Sequence, residues 1–188
     1  MSDLTTNPYA DPQAARAFRR RCEQLVRQLP IPAPFDERRF CAALGAQRRR
    51  PIALRPWPLR QRTTGDDIIT GFIGVAPDGD VIYYERDTRR IHQQQIIAHE
   101  CAHLILGHQG ESITPSDLVS QVHELAPDTT IRHVHRRAGV QTAEEFEAET
   151  LGRLILLRAY SDAARLASSH PQTAHLLALL DGLEGDNG

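Results

Sequence analysis

Residues 96–106 read Ile-Ile-Ala-His-Glu-Cys-Ala-His-Leu-Ile-Leu. Apolar residues flank the polar ones on both sides and Gly107 follows, which is typical of a half-buried helix that ends at a glycine. Four residues advance a helix by about 400°, so His99 and His103 project from one face, a single turn apart. The two imidazoles can therefore bind one metal ion, and we expect Zn²⁺.

Glu100 lies between the two histidines in sequence and about 100° from His99 around the helix. It is placed to hydrogen-bond a water on the ion, take its proton as a general base and so produce a nucleophile for a carbonyl carbon. The alternative is that this short motif arose by chance. On a half-buried helix, however, burying three polar side chains costs free energy unless they bind a ligand or a polar partner.

A third ligand is expected from a second helix, because a catalytic zinc usually takes three protein ligands and keeps one position for water. Residues 144–149 read Glu-Glu-Phe-Glu-Ala-Glu and begin an otherwise apolar helix. A nearby cation would relieve the crowding of four carboxylates, although a solvated acidic helix start is the alternative. Glu145 and Glu149 share a face, so Glu145 can bind zinc while Glu149 orients a ligand histidine.

Two neighbours of the motif are not expected to bind the ion. His108 would lie about 140° from His103 on a continuous helix. Cys101 lies about 200° from His99 and is interpreted as a core thiol. The chain has three cysteines and no Cys-x-x-Cys pair, which argues against a disulfide framework and a thiolate zinc site.

Elsewhere the pattern predicts an α+β fold. We expect an amphipathic helix over 12–29, a second helix from 36 that stops at Gly45, an edge strand at most over 52–59, and a β-hairpin of strands 68–75 and 81–84. After the motif we expect a short helix plus loops over 110–139, a capped helix over 142–160 and a final helix over 162–180.

Length and composition suit one domain of 188 residues with no apolar run long enough to span a membrane. The polar N-terminus lacks a secretion signal, so a cytoplasmic location is expected. Residues 1–62 hold 13 arginines and 5 acidic residues, whereas residues 63–188 hold 9 and 19. This asymmetry suggests an acidic partner, or more simply a basic face that packs on the acidic half or is solvated.

Over about residues 65–160 the chain resembles the ImmA/IrrE family of zinc metallopeptidases. The resemblance rests on His99-Glu100-x-x-His103, Gly71-Phe72, Val81-Ile82-Tyr83-Tyr84 and Glu145-x-x-Ala148-Glu149-x-Leu151-Gly152. It implies a small gluzincin-like fold, Glu145 as the third zinc ligand, and a helix-turn-helix transcriptional regulator as the protein that is cleaved.

The sequence departs from that family in three places. Cys101-Ala102 replaces an apolar residue followed by glycine, Glu149 replaces Asn or Asp, and Leu151-Gly152 stands where Phe-Ala is common. The second departure leaves Glu147 open as an alternative ligand to Glu145. The third concerns packing.

We therefore expect a zincin-like catalytic core over 65–160, with a short antiparallel sheet packed on the active-site helix. Residues 1–64 would form a helical, proline-rich, basic region packed on it, and 161–188 a C-terminal helix and flexible tail. The strand over 81–84 would hold the substrate backbone by strand addition.

The donor to the oxyanion is left open among Tyr83, Tyr84, His133 and His135. The expected function is that of an intracellular zinc endopeptidase that cleaves a partner protein, without direct nucleic-acid binding. The alternative is a non-catalytic regulatory module with a structural zinc site, whose arginine-rich region grips an acidic partner or nucleic acid.

Overall fold

Two helices precede the first strand, as the sequence predicts. The structure is a computed structural model that describes residues 8–57, 69–108, 128–136 and 142–169, with the backbone alone for 132–136. A 3₁₀ turn, Pro8–Ala10, leads into the helices and strands, which are α1 Pro12–Gln28, α2 Glu37–Arg48, β1 Ile52–Trp57, β2 Ile69–Ala76, β3 Gly79–Glu85, α3 Arg90–Leu106, β4 Thr130–Arg136 and α4 Ala143–Ser169.

Both N-terminal helices begin at an aspartate whose carboxylate accepts hydrogen bonds from first-turn amides. Asp11 caps α1, and Asp36 caps α2. The predicted end of α2 at Gly45 is wrong, because the helix continues to Arg48. A Cβ at Gly45 would lie 3.0 Å from the backbone nitrogen of Ile52, so this glycine permits close packing of α2 on the start of β1.

The sheet has the strand order β1-β3-β2-β4. The predicted hairpin of β2 and β3 is confirmed, and β4 pairs antiparallel with β2. β1 lies at the edge, as predicted, but runs parallel to β3, so the prediction of an antiparallel sheet is wrong and the sheet is mixed. The loop predicted at 130–136 is also wrong, since these residues form β4.

The last of the described residues form one continuous helix, α4. α4 runs through residue 160, where we predicted a break, and residues 162–169 of the predicted final helix belong to it. Residues 170–180 of that prediction lie outside the described residues, as do 110–127. Among the helices described, none has the length and apolar character needed to cross a membrane.

The main core lies between the sheet, α3 and α4. Ile73 and Ile82 extend from one face of the sheet towards the apolar side of α3, and α4 covers the helix from the other side with Ala148, Leu151 and Ile155. Side chains of α1 and α2 belong to the same core. The sheet therefore supports α3 on one side while α4 fixes it on the other.

Leu151 and Leu157 allow a test of this packing on one helix, since Leu151 is 0% exposed and Leu157 is 50% exposed. Leu151→Ala removes buried methyl groups beside α3, and we expect it to lower the free energy of unfolding by about 2–5 kcal/mol. Leu157→Ala should change it by no more than about 0.5 kcal/mol. Urea unfolding measures both, and equal effects would contradict the packing.

Candidate metal centre

The two histidines of the motif and Glu145 converge between α3 and α4. The Nε2 atoms of His99 and His103 lie 3.0 Å apart, and each lies 3.3 Å from one carboxylate oxygen of Glu145. Ligands about 2.0–2.1 Å from a tetrahedral ion are about 3.3 Å from one another. The donor atoms and their separations therefore fit a zinc ion, and this buried group can hold a metal.

The start of α4 brings Glu145 to the histidines. The Thr142 hydroxyl accepts a hydrogen bond from the Glu145 amide at 3.2 Å, which caps the helix as the sequence predicts. Seven residues further on the same face, a Cβ at Gly152 would lie 3.1 Å from both Cα and N of His99. Gly152 thus allows α4 to approach the backbone of α3 at the first histidine.

Glu100, the next residue after His99 on α3, lies against β2. A Cβ at Gly71 would lie 3.0 Å from Oε1 of Glu100, so the missing side chain leaves room for the carboxylate. Glu100 is 0% exposed, and among the described residues neither of its oxygens has a hydrogen-bond partner. Burial, and then the charge of Glu145, raises the pKa of Glu100 well above its usual value. A nearby cation would favour the ionised form.

The other glutamates of the acidic stretch take different places. Glu147, the alternative ligand, contacts His108 at 2.9 Å and the Tyr9 hydroxyl. Glu149 is 58% exposed, and one of its oxygens lies 4.0 Å from Nδ1 of His99, which is too long for a hydrogen bond. Of the three candidate carboxylates, the structure brings Glu145 to the pair of ligand histidines.

His108 is the residue that the sequence interpretation missed. It is not in the ligand group, but its Nδ1 lies 2.9 Å from Nδ1 of His103. Gly107 has a φ of 71° and reverses the chain, so that the His108 amide donates to the His103 carbonyl at 3.2 Å. A glycine that ends a helix commonly brings the next residue back over the last turn, and this signal was present in the sequence.

Of the candidate oxyanion donors, Tyr83 and Tyr84 lie on opposite faces of the sheet. Tyr83 is stacked on Phe72 at 4.5 Å in a second cluster on the face away from α3, which argues against a role at the metal centre. Tyr84 packs against the main core on the α3 side. The side chains of His133 and His135 lie outside the described residues.

Cys101 lies in the core beside Cys41, with the sulfur atoms 3.7 Å apart. The hydrogen bond with Cys41, together with burial, raises the pKa of Cys101 well above its usual value. A protonated thiol is a poor metal ligand. The interpretation of Cys101 as a core residue agrees with this position.

Comparisons with models of protein families, with curated proteins and with solved structures found no match to this chain. The chemistry must therefore be inferred from the donor set. Two imidazoles and one carboxylate are a ligand combination of catalytic zinc sites.

Glu145→Ala removes one of three ligands, and we expect it to weaken zinc binding by more than the roughly 10- to 100-fold typical of outer-shell changes. Glu144→Ala is the matched control, because it removes a neighbouring carboxylate from the same helix start. Competition with a zinc-sensitive chelator dye measures both affinities. Equal affinity in the two variants would exclude Glu145 as a ligand.

Gly152→Val tests the close approach of the two helices. Its side chain would meet the His99 backbone, which cannot move aside as a flexible side chain can, and we expect a loss of about 1–3 kcal/mol of stability. Zinc affinity should fall as well, since α4 carries Glu145. Arg153→Val makes the same residue at the exposed next position and should retain zinc affinity. Unchanged zinc binding by Gly152→Val would contradict this role of the glycine.

Proposed function

We propose that this protein is a zinc-dependent endopeptidase, with His99, His103 and Glu145 as ligands and Glu100 as the general base. The observation that carries the proposal is a three-membered ligand group together with a buried carboxylate, Glu100, on the helix that bears both histidines. Zinc in such a donor set supplies a Lewis acid that activates water and polarises a carbonyl group. The resemblance to the ImmA/IrrE family and its zincin-like fold supports the same activity.

Glu100 moves the proton in this proposal. Its carboxylate accepts a proton from the water that attacks the peptide carbonyl carbon and returns it to the leaving amine nitrogen as the C–N bond breaks. Burial raises the pKa of Glu100, which makes its carboxylate a stronger base than an exposed glutamate. Glu100 is fully buried, which shields its carboxylate from bulk water.

Strand addition of the substrate needs a strand with an unpaired edge. β3, which we expected to hold the substrate, pairs with β1 on one side and β2 on the other, so that expectation is wrong. We propose β4 instead: it pairs with β2 on one side, and no strand within the described residues pairs with its other edge. β4 lies beside the strand whose Gly71 faces Glu100.

The alternative of a structural zinc site is less well supported. Structural sites are normally closed by four protein ligands, whereas the group found among the described residues has three. Two arginines of the arginine-rich region also form ion pairs within the protein and so are less available to a partner. Arg48 and Arg50 each contact the buried Asp80 at 2.8 Å, which ties the basic N-terminal part to the hairpin.

The substrate class follows from the resemblance: a partner protein, and within that class a helix-turn-helix transcriptional regulator. The test uses two candidate substrates, a peptide library and the product of the adjacent gene. Each is incubated with the zinc-loaded protein. New N-termini are identified by mass spectrometry. We expect cleavage by the wild-type protein and at least about 100-fold slower cleavage by Glu100→Gln, which removes the general base.

Glu144→Gln is the matched control and should cleave like the wild-type protein. Zinc content is measured for every variant, because Glu100→Gln should keep the metal while it loses activity. Equal cleavage by the wild type and Glu100→Gln would exclude the proposed role of Glu100. Bound zinc without cleavage of either substrate would favour the structural alternative.

A further inference from the structure

A chain of contacts runs from His103 away from the metal centre. Nδ1 of His103 faces Nδ1 of His108 at 2.9 Å, and Nε2 of His108 faces Oε2 of Glu147 at 2.9 Å. The other nitrogen of His103, Nε2, faces Glu145 and His99. His103 therefore uses one ring nitrogen for the ligand group and the other for this outer chain.

The direction of the hydrogen bonds follows from the carboxylate at the end of the chain. A carboxylate only accepts, so His108 donates from Nε2 to Glu147. In a neutral imidazole the other nitrogen is then an acceptor, so Nδ1 of His108 accepts from Nδ1 of His103. With its proton on Nδ1, neutral His103 has the lone pair on Nε2, which is the form that binds a metal.

The second oxygen of Glu147 accepts a hydrogen bond from the Tyr9 hydroxyl. The Tyr9 ring stacks on Phe146 with the ring centroids 4.7 Å apart, and its centroid lies 5.1 Å from that of Phe18. These contacts hold the Tyr9 hydroxyl in place. Burial, with the hydrogen bond to Glu147, raises the pKa of Tyr9 to about 12, which keeps it a donor. Both oxygens of Glu147 are thus engaged by groups on separate parts of the chain.

We propose that His108 and Glu147 are positioning residues that hold His103 with its proton on Nδ1 and its Nε2 directed at the metal, and that Tyr9 fixes Glu147. This inference rests on the metal centre of the proposed function. It makes the 3₁₀ turn at the N-terminus a contributor to metal affinity, although Tyr9 does not belong to the ligand group. Outer-shell partners of this kind orient the ring and increase its basicity as a ligand.

The test is zinc affinity, measured by competition under conditions where each variant is shown to be folded. His108→Phe keeps a planar ring but removes both nitrogens, and we expect about 10- to 100-fold weaker binding. His108→Asn retains an acceptor near the position of Nδ1 and should bind with intermediate affinity. Tyr9→Phe keeps the stacked ring, loses only the hydroxyl, and should weaken binding by a smaller factor than His108→Phe.

Glu144→Gln is the control for Glu147→Gln, since it neutralises a nearby glutamate outside the contact chain. We expect Glu147→Gln to weaken zinc binding and Glu144→Gln to leave it unchanged. If His108→Phe does not fold, His108→Asn, Glu147→Gln and Tyr9→Phe still decide the matter, because each retains most of the side-chain volume.

A spectroscopic measurement separates positioning from general stability. ¹H–¹⁵N correlation spectra of the histidine rings in the zinc-loaded protein should show His108 protonated on Nε2 and unprotonated on Nδ1. A proton on Nδ1 of His108 would overturn the inference. Wild-type zinc affinity in all the variants would also overturn the inference, but it would not contradict the proposed zinc site. Failure of the wild-type protein to bind zinc would overturn both the inference and the proposed function.

Discussion

The close contact between α3 and α4 at His99 is the constraint on which the site depends. Gly152 lets the two helix backbones approach, and Glu145 lies seven residues earlier on the same face of α4. Ala148 lies between them on this face and is fully buried. A larger residue at the contact would move the carboxylate away from both histidines, so an inert glycine determines whether the polar residues form one site.

The parts of the fold and the site that follow local rules could be predicted from the sequence. Helix periodicity places His99 and His103 on one face, and a Pro-Asp-Gly turn predicts the hairpin of β2 and β3. The parallel pairing of β1 with β3 could not be predicted, because it joins segments far apart in sequence. The continuation of α2 beyond Gly45 also depends on tertiary packing, which outweighs the low helix propensity of glycine.

The contact of His108 with His103 is a different case. His108 is not in the ligand group, as predicted, and a continuous helix would place its side chain far from His103. The left-handed Gly107 instead brings it back over the last turn. The glutamates at the start of α4 likewise make different contacts, which their composition alone does not predict. Glu145 and Glu147 are two residues apart, which is about 200° on a helix, so they cannot both face the ligand histidines. Glu145 instead contacts His99 and His103, whereas Glu147 contacts His108.

Charge balance connects these observations. Glu147 is matched by two hydrogen-bond donors, His108 and Tyr9, while Glu149 extends into solvent. Glu100 and Glu145 remain close enough for the charge of one to raise the pKa of the other. The charges of two carboxylates would balance one divalent cation, and burial makes that compensation more valuable than it would be in water. The electrostatics and the ligand geometry thus both suit a divalent metal ion.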